Sequence, residues 1–294
     1  MKKKLPGLLL NITTLVCLFI SSLLMLKPNI SIVTQKMDKD TEKVPSGVYL
    51  VGTKNLDKND EMESLRSDWT GMTLFEYIEC MKEWGDEYTK LAEQAKIGFE
   101  QTKDQIDTLR DQIDILMNKY SSVSSASLDE QISKLDEQIS NLEEQRDELV
   151  QMEAAYRVTA QTAGFYGYLA IASLLLLAVL ALIVFVKTLI SIFVAYDAQK
   201  LPKAVVTNAL FACSPLVFLH VALMTAQLMV FEPVNDGLLK NEMGSIFRIV
   251  LTEGINYGWI GFAMMIAVIV GYRMCDTCLK GKPKQNKRSN IQSK

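Results

Sequence analysis

The sequence predicts an all-α fold: a four-transmembrane-helix membrane protein with a long antiparallel coiled-coil hairpin between the first and second crossings. Three observations predict it. Four apolar stretches are long enough to cross a bilayer, which takes about 20 helical residues. An uninterrupted run of heptads stands between the first two. Charge is sorted, with basic residues collected at the ends that a cytoplasmic face would receive.

Residues 1–4 carry Lys2, Lys3 and Lys4 and are read as a cytoplasmic N-terminus. The apolar run 5–26 that follows lacks a small-x-small cleavage site before Lys27 and Pro28, so it reads as a signal anchor and first transmembrane helix. Its polar residues, Asn11, Thr13, Thr14, Ser21 and Ser22, mark the side for helix contacts. Residues 27–72 are rich in Lys, Asp, Asn and Gly and read as an extracytoplasmic collar with one strand-like piece, Val48–Val51.

The extracytoplasmic coiled-coil hairpin is expected over 73–164. Thr73 opens its first helix as a capping box with Glu76, and Ser127 with Glu130 repeats the device for the second. Apolar residues recur at alternating steps of four and three from Leu74 through Tyr120, then from Leu128 through Tyr156 along the repeat LDEQISK LDEQISN LEEQRDE. The candidate seam is Ile106, Leu109, Ile113 and Leu116 against Leu128, Ile132, Leu135, Ile139 and Leu142. Arg146 and Glu153 interrupt it, and charge at such positions sets register or partner number. The serine-rich link Ser121–Ser127 is short enough to force antiparallel neighbours.

Pairing Tyr120 with Leu128 places Gly85 beside Ala163, where the chain meets the membrane. A bend near Gly85 would then leave Leu74, Tyr77, Ile78, Met81 and Trp84 on the headgroup region. The alternative is that this segment packs beside the first crossing. No proline or cap separates the second hairpin helix from the apolar run beyond Gly164, so hairpin and second crossing are expected to be one helix.

The remaining organisation is a second transmembrane helix over 165–187, a cytoplasmic connection over 188–203, a third transmembrane helix over 204–231, an extracytoplasmic loop over 232–254, a fourth transmembrane helix over 255–272 and a basic cytoplasmic tail over 273–294. Ala263, Ala267 and Gly271, with Gly254 and Gly258 above them, form a small-residue ridge for close helix approach. Residues 27–164 carry a net charge of −12 and the tail from Arg273 a net +6, so both termini are placed in the cytoplasm of a multi-pass cell-membrane protein.

Chemistry is thinly signalled. There is one His, no glycine-rich phosphate loop, no GxSxG and no HExxH, so no enzyme, cofactor or resident metal is expected. Cys275 and Cys278 offer half a tetrahedral metal site at most. Lys187, Asn208, Cys213, Ser214, His220 and Gln227 form a candidate polar lane on the second and third crossings, weighed against plain interhelical hydrogen bonding. Cys80 is a candidate intermolecular disulfide, weighed against a free or buried thiol. The basic cluster is a short membrane-flanking tail, which disfavours nucleic acid.

In topology alone, two crossings bracketing an extracytoplasmic coiled coil resemble polysaccharide chain-length regulators and chemoreceptors. The added pair of crossings and the missing signalling domain depart from both. The function expected is an extracytoplasmic stalk for self-association or for docking a protein partner, in contact with the lipid bilayer. A pore or transporter subunit, or a transmembrane sensor without a catalytic domain, is the alternative.

Overall fold

The computed structural model describes residues 5–36, 72–119, 126–194, 200–232, 245–251 and 255–280. In chain order these form helix α1 (Leu5–Leu26), strand β1 (Ile30–Lys36), helix α2 (Leu74–Lys119), helix α3 (Ala126–Phe193), helix α4 (Leu201–Ala226) ending in a π-helical turn (Gln227–Phe231), strand β2 (Ser245–Leu251) and helix α5 (Tyr257–Lys280). Four helices among the described residues, α1, α3, α4 with its π turn, and α5, are long and apolar enough to cross a membrane. The strand-like Val48–Val51, most of the serine-rich link and the tail beyond Lys280 lie outside the described residues.

Helix α3 runs for 68 residues without a break, on the order of 100 Å at about 1.5 Å per residue. It joins the heptads to the apolar run because nothing between them stops a helix: no proline occurs from Ala126 to Phe193. No charged residue stands between Arg157 and Lys187. Helix α2, 46 residues long, lies along it. Gly85 lies close to Ala160 and Gly164, Gly98 to Leu149, and Arg110 pairs with Glu143 at 2.6 Å. The alternating spacing of the heptads explains which residues meet. Ala92, Ala95, Thr102, Ile106 and Ile113 on α2 and Ile139 on α3 are buried.

The start of α2 follows from local chemistry. The Thr73 N–H donates to Glu76 Oε2 at 2.6 Å and the Glu76 N–H donates to Thr73 Oγ1 at 3.3 Å, which closes the capping box. The second expected cap shifts, since Ala126 already begins α3 and Ser127 lies inside it, while the Glu130 carboxylate accepts from Lys134 at 2.7 Å.

Helix α2 also corrects the expected bend at Gly85. The helix is unbroken across Gly85, and Leu74, Tyr77 and Met81 are buried with Ala163, Tyr166 and Ala170 of α3 in the main core instead of facing lipid headgroups. Trp84 packs against Phe231 at the end of α4, ring centres 5.1 Å apart and the planes tilted by 51°. The cause is the small side chains opposite: a Cβ on Gly167 would already lie 3.5 Å from Met81 Cβ, so α2 sits close enough to share its apolar face with the bundle.

Helix α5 corrects part of the small-residue ridge, of which Gly258 is buried and Gly254 lies outside the described residues. Ala263 and Ala267 are exposed, and the packed face is Gly258, Gly261, Met264 and Val268, at steps of three and four. Gly261 makes the closest approach, where a Cβ would stand 2.9 Å from the Cys213 carbonyl oxygen of α4. The helix continues to Lys280, carrying Cys275 on its last turns rather than beyond them.

Among the described residues the all-α reading holds for every element but one two-stranded ribbon. Strands β1 and β2 pair antiparallel from Ile30 with Leu251 to Lys36 with Ser245, and Ile30 also exchanges backbone hydrogen bonds with Met72. The ribbon therefore joins the chain leaving α1, the start of α2 and the approach to α5. Ile30–Lys36 carries β-branched residues at Ile30, Ile32, Val33 and Thr34, but its partner lies over 200 residues away, so no hairpin signal announces it.

Candidate functional site

The polar residues of α1 and α4 are placed by helical periodicity on facing sides. Asn11 and Thr14 lie one turn apart on α1, and Asn208, fully buried, donates through Nδ2 to Asn11 Oδ1 at 2.8 Å and to Thr14 Oγ1 at 3.2 Å. Asn11 Nδ2 and Asn208 Oδ1 are buried without a partner among the described residues. Ser21, further along the same face of α1, contacts Met264 Sδ at 3.3 Å. Gln227 is held elsewhere: its Oε1 accepts from the Ile249 N–H at 2.7 Å, tying the π turn to β2. That widened turn also brings Val230 and Phe231 into the core.

The other members of the candidate lane are dispersed. Lys187 Nζ lies 4.9 Å from the centre of the Phe211 ring, a cation–π contact between α3 and α4. Ser214 Oγ donates to the Phe211 carbonyl at 3.4 Å, and this is the carbonyl that Pro215, lacking an N–H, leaves without its helical donor. Cys213 Sγ donates weakly to Leu210 O at 3.4 Å. The His220 ring stands over Gly258, near Asn256, with Nδ1 unpartnered among the described residues. Asn208 thus bonds to a neighbouring helix and Ser214 to the backbone of its own, and among the described residues Lys187 and His220 share no contact.

On the paired long helices, Ile106, Ile113 and Ile139 form a buried cluster with Leu109, Ile132, Leu135 and Leu142 packed against it, whereas Leu116 and Leu128 are half-buried outside that cluster. Arg146 pairs with its neighbour Asp147 at 2.8 Å and Glu153 with Arg157 at 2.6 Å, so both seam charges are met on their own helix. Cys80 is half-buried near the start of α2, and burial together with the Glu83 carboxylate pushes its thiol up. That disfavours the thiolate through which disulfides form. Among the described residues no group of three His, Cys, Asp or Glu is placed to hold a metal.

Sequence reasoning missed one feature. A groove of about 510 Å³ runs along the outside of α2 and α3, lined from one end to the other by Glu93, Arg157, Asp86, Lys82, Tyr168 and Ile171 and floored by Gly85, Gly164 and Gly167. Its depth comes from the glycines. A Cβ on Gly85 would sit 3.3 Å from Ala160 O, whereas one on Gly164 would meet nothing within 4 Å. The signal available in sequence was the cluster Ala160, Ala163, Gly164 and Gly167 opposite Gly85, which the heptad register brings together.

In the main core the Tyr77 hydroxyl is buried without a partner among the described residues, and burial pushes its ionisation above the ordinary phenol range. The Glu76 carboxyl, by contrast, is held below its usual range by the Thr73 backbone and hydroxyl hydrogen bonds.

No protein-family model, curated protein or solved structure matches the chain. The class the geometry defines is that of a multi-pass membrane protein: four helices of crossing length and composition, one of which extends far past the bundle.

Proposed function

We propose that α2 and α3 form an antiparallel coiled-coil hairpin on the extracytoplasmic side of the cell membrane, with both termini cytoplasmic. It acts there as a rigid stalk for self-association or for docking a protein partner. The observation carrying this reading is the continuity of α3, whose Ala126–Phe193 helix is shared by the heptad seam and an apolar crossing. A helix without a hinge fixes the direction of the stalk by the packing of the bundle below it. About 55 Å of α3 lies beyond Gly164, further than the headgroup layer reaches.

The outward faces of the stalk support an assembly role. Ile97, Ile115 and Met117 on α2 and Val150 and Met152 on α3 are exposed, although the surface around them is strongly charged. Isolated apolar side chains are ordinary on a soluble surface, but several along one rod provide contact points for a second helix pair.

Two measurements test the reading. Protease added to sealed cells should cut within Ser121–Ser127 and spare the terminal lysines; the reverse pattern would invert the topology. Leu135→Asp with Leu142→Asp should abolish crosslinked oligomers or partner capture while leaving membrane insertion unchanged. Retention of both after the seam is broken would remove the stalk from the assembly.

A further inference from the structure

We infer that the groove between α2 and α3 is a binding site for a single zwitterionic membrane phospholipid, with an ethanolamine or choline headgroup, in the leaflet on the stalk side. The inference requires only that α3 enters the bilayer below the groove, which its run of uncharged residues after Arg157 dictates, and is independent of which side of the cell the stalk occupies.

Level is the first argument. Tyr168 on the groove is 72% exposed, as aromatic residues are where a bundle meets the headgroup layer. Below Tyr168 the same face of α3 continues as Ile171, Leu175, Val179 and Leu182, all exposed and all apolar. An acyl chain lying in the groove therefore finds an unbroken apolar track downward. Above Tyr168 the lining becomes charged.

The order of charge is the second argument. Met81 faces Gly167 and Gly85 faces Gly164, so Lys82 stands nearer the bilayer than Asp86, by one helical turn or about 5.4 Å. Proceeding outward, the groove presents apolar surface, then a cation, then an anion, with Glu93 further out. A zwitterionic phospholipid presents acyl chain, then phosphate anion, then ammonium cation along the same direction. The two sequences are complementary at each step. Neither Lys82 nor Asp86 has an ion-pair partner among the described residues, and Lys before Asp at this spacing is the less favourable order for a pair on one helix, so both charges remain available to a ligand. Arg157, paired with Glu153 at 2.6 Å, adds little net charge. An anionic headgroup would satisfy Lys82 and oppose Asp86.

The glycines are the third argument. Open space over Gly164, which faces Gly85 at the level of Asp86, leaves room beside the helix backbone that the headgroup can enter and a side chain of the protein does not.

The test uses the full chain in nanodiscs of phosphatidylcholine carrying a trace of chain-labelled diazirine phosphatidylcholine or, separately, diazirine phosphatidylglycerol, with adducts mapped by peptide mass spectrometry. Adducts should concentrate several-fold on Ile78–Asp86 and Gly164–Ile171 relative to other lipid-facing peptides, and be several-fold more abundant for choline than for glycerol headgroups. Asp86→Lys, an exposed position that spares the core, should reverse the headgroup preference. Gly164→Leu should remove the excess on these peptides, and circular dichroism and bundle adducts unchanged from wild type identify a folded variant. Even labelling around the bundle, equal yields for the two headgroups, or protection of the groove by a second copy of the chain crosslinked through it would each overturn the inference. Failure of the stalk reading shows separately in the protease and crosslinking measurements, which do not involve lipid labels.

Discussion

Gly261→Ala sets the packing of α4 on α5 against helix propensity in a way the structure makes quantitative. The added Cβ would stand 2.9 Å from the Cys213 carbonyl oxygen and 3.0 Å from Val217 Cγ2. Val217 can rotate, but the carbonyl belongs to the α4 backbone, and restoring ordinary contact at 3.4 Å requires the helices to part by about half an ångström. Overpacking of this kind costs roughly 1–3 kcal/mol, while replacing Gly by Ala inside a helix returns about 1 kcal/mol. Gly164→Ala provides the matched control, because its Cβ meets nothing within 4 Å and only the propensity gain operates. The difference between the two variants cancels propensity and isolates the contact, so Gly261→Ala should be less stable than Gly164→Ala by about 1–3 kcal/mol. Reversible unfolding in mixed micelles, followed by circular dichroism, reads that difference. Equal stabilities, or a more stable Gly261→Ala, would refute the close approach of α5 to the α4 backbone.

Other perturbations probe the remaining contacts. Asn208→Leu should destabilise the bundle by about 0.6–2 kcal/mol, and the double variant with Asn11→Leu should recover part of that loss, since it removes both buried amides; strict additivity in the cycle would deny their coupling. For Glu76, the folded-state pKa lies below the ordinary 4.5, so its stabilisation is fully present above that value and lost as pH falls through the lower folded value. On acidification below about pH 4.5 the wild type should lose protection of the first turn of α2 in hydrogen exchange relative to Glu76→Gln, and parallel profiles would contradict the cap. Ile139→Ala should cost about 2–4 kcal/mol locally, fraying the far end of the long-helix pair while bundle amides keep their protection. Glu143→Gln, which breaks an exposed ion pair, should cost no more than about 1 kcal/mol and less in high salt.

How much of this was legible in the sequence depends on the range of the interaction that decides each element. The capping box at Thr73 and Glu76, the end of α1 at Leu26 and the 68-residue span of α3 follow from neighbours within a few turns, and the heptad pattern carries the burial of Ile106, Ile113 and Ile139 as well. The ribbon follows from none of these, because β1 and β2 are joined only through tertiary pairing across most of the chain. The ridge on α5 failed in part for a related reason: Gly258 packs as expected, but Ala263 and Ala267 and the face through Gly261 and Met264 all have helical spacing, and only the position of α4 selects between them.

The same distinction explains why the polar side chains of α4 resisted reading as a lane. Spacing by seven places Cys213, His220 and Gln227 along one side of a regular helix, but Pro215 and the π turn at Gln227–Phe231 both disturb the regular hydrogen-bond ladder. Ser214 answers the first disturbance by donating to the Phe211 carbonyl, and Gln227 answers the ribbon through the Ile249 amide. Asn208 is drawn to α1 by Asn11 and Thr14. In an apolar surrounding Asn208, Ser214 and Gln227 bond to the nearest backbone or amide, so short-range satisfaction decides their partners before any alignment along the helix can. A groove lined by Lys82 and Asp86 escapes that rule, because it stands where the bundle gives way to the headgroup layer, and charges there can wait for a ligand.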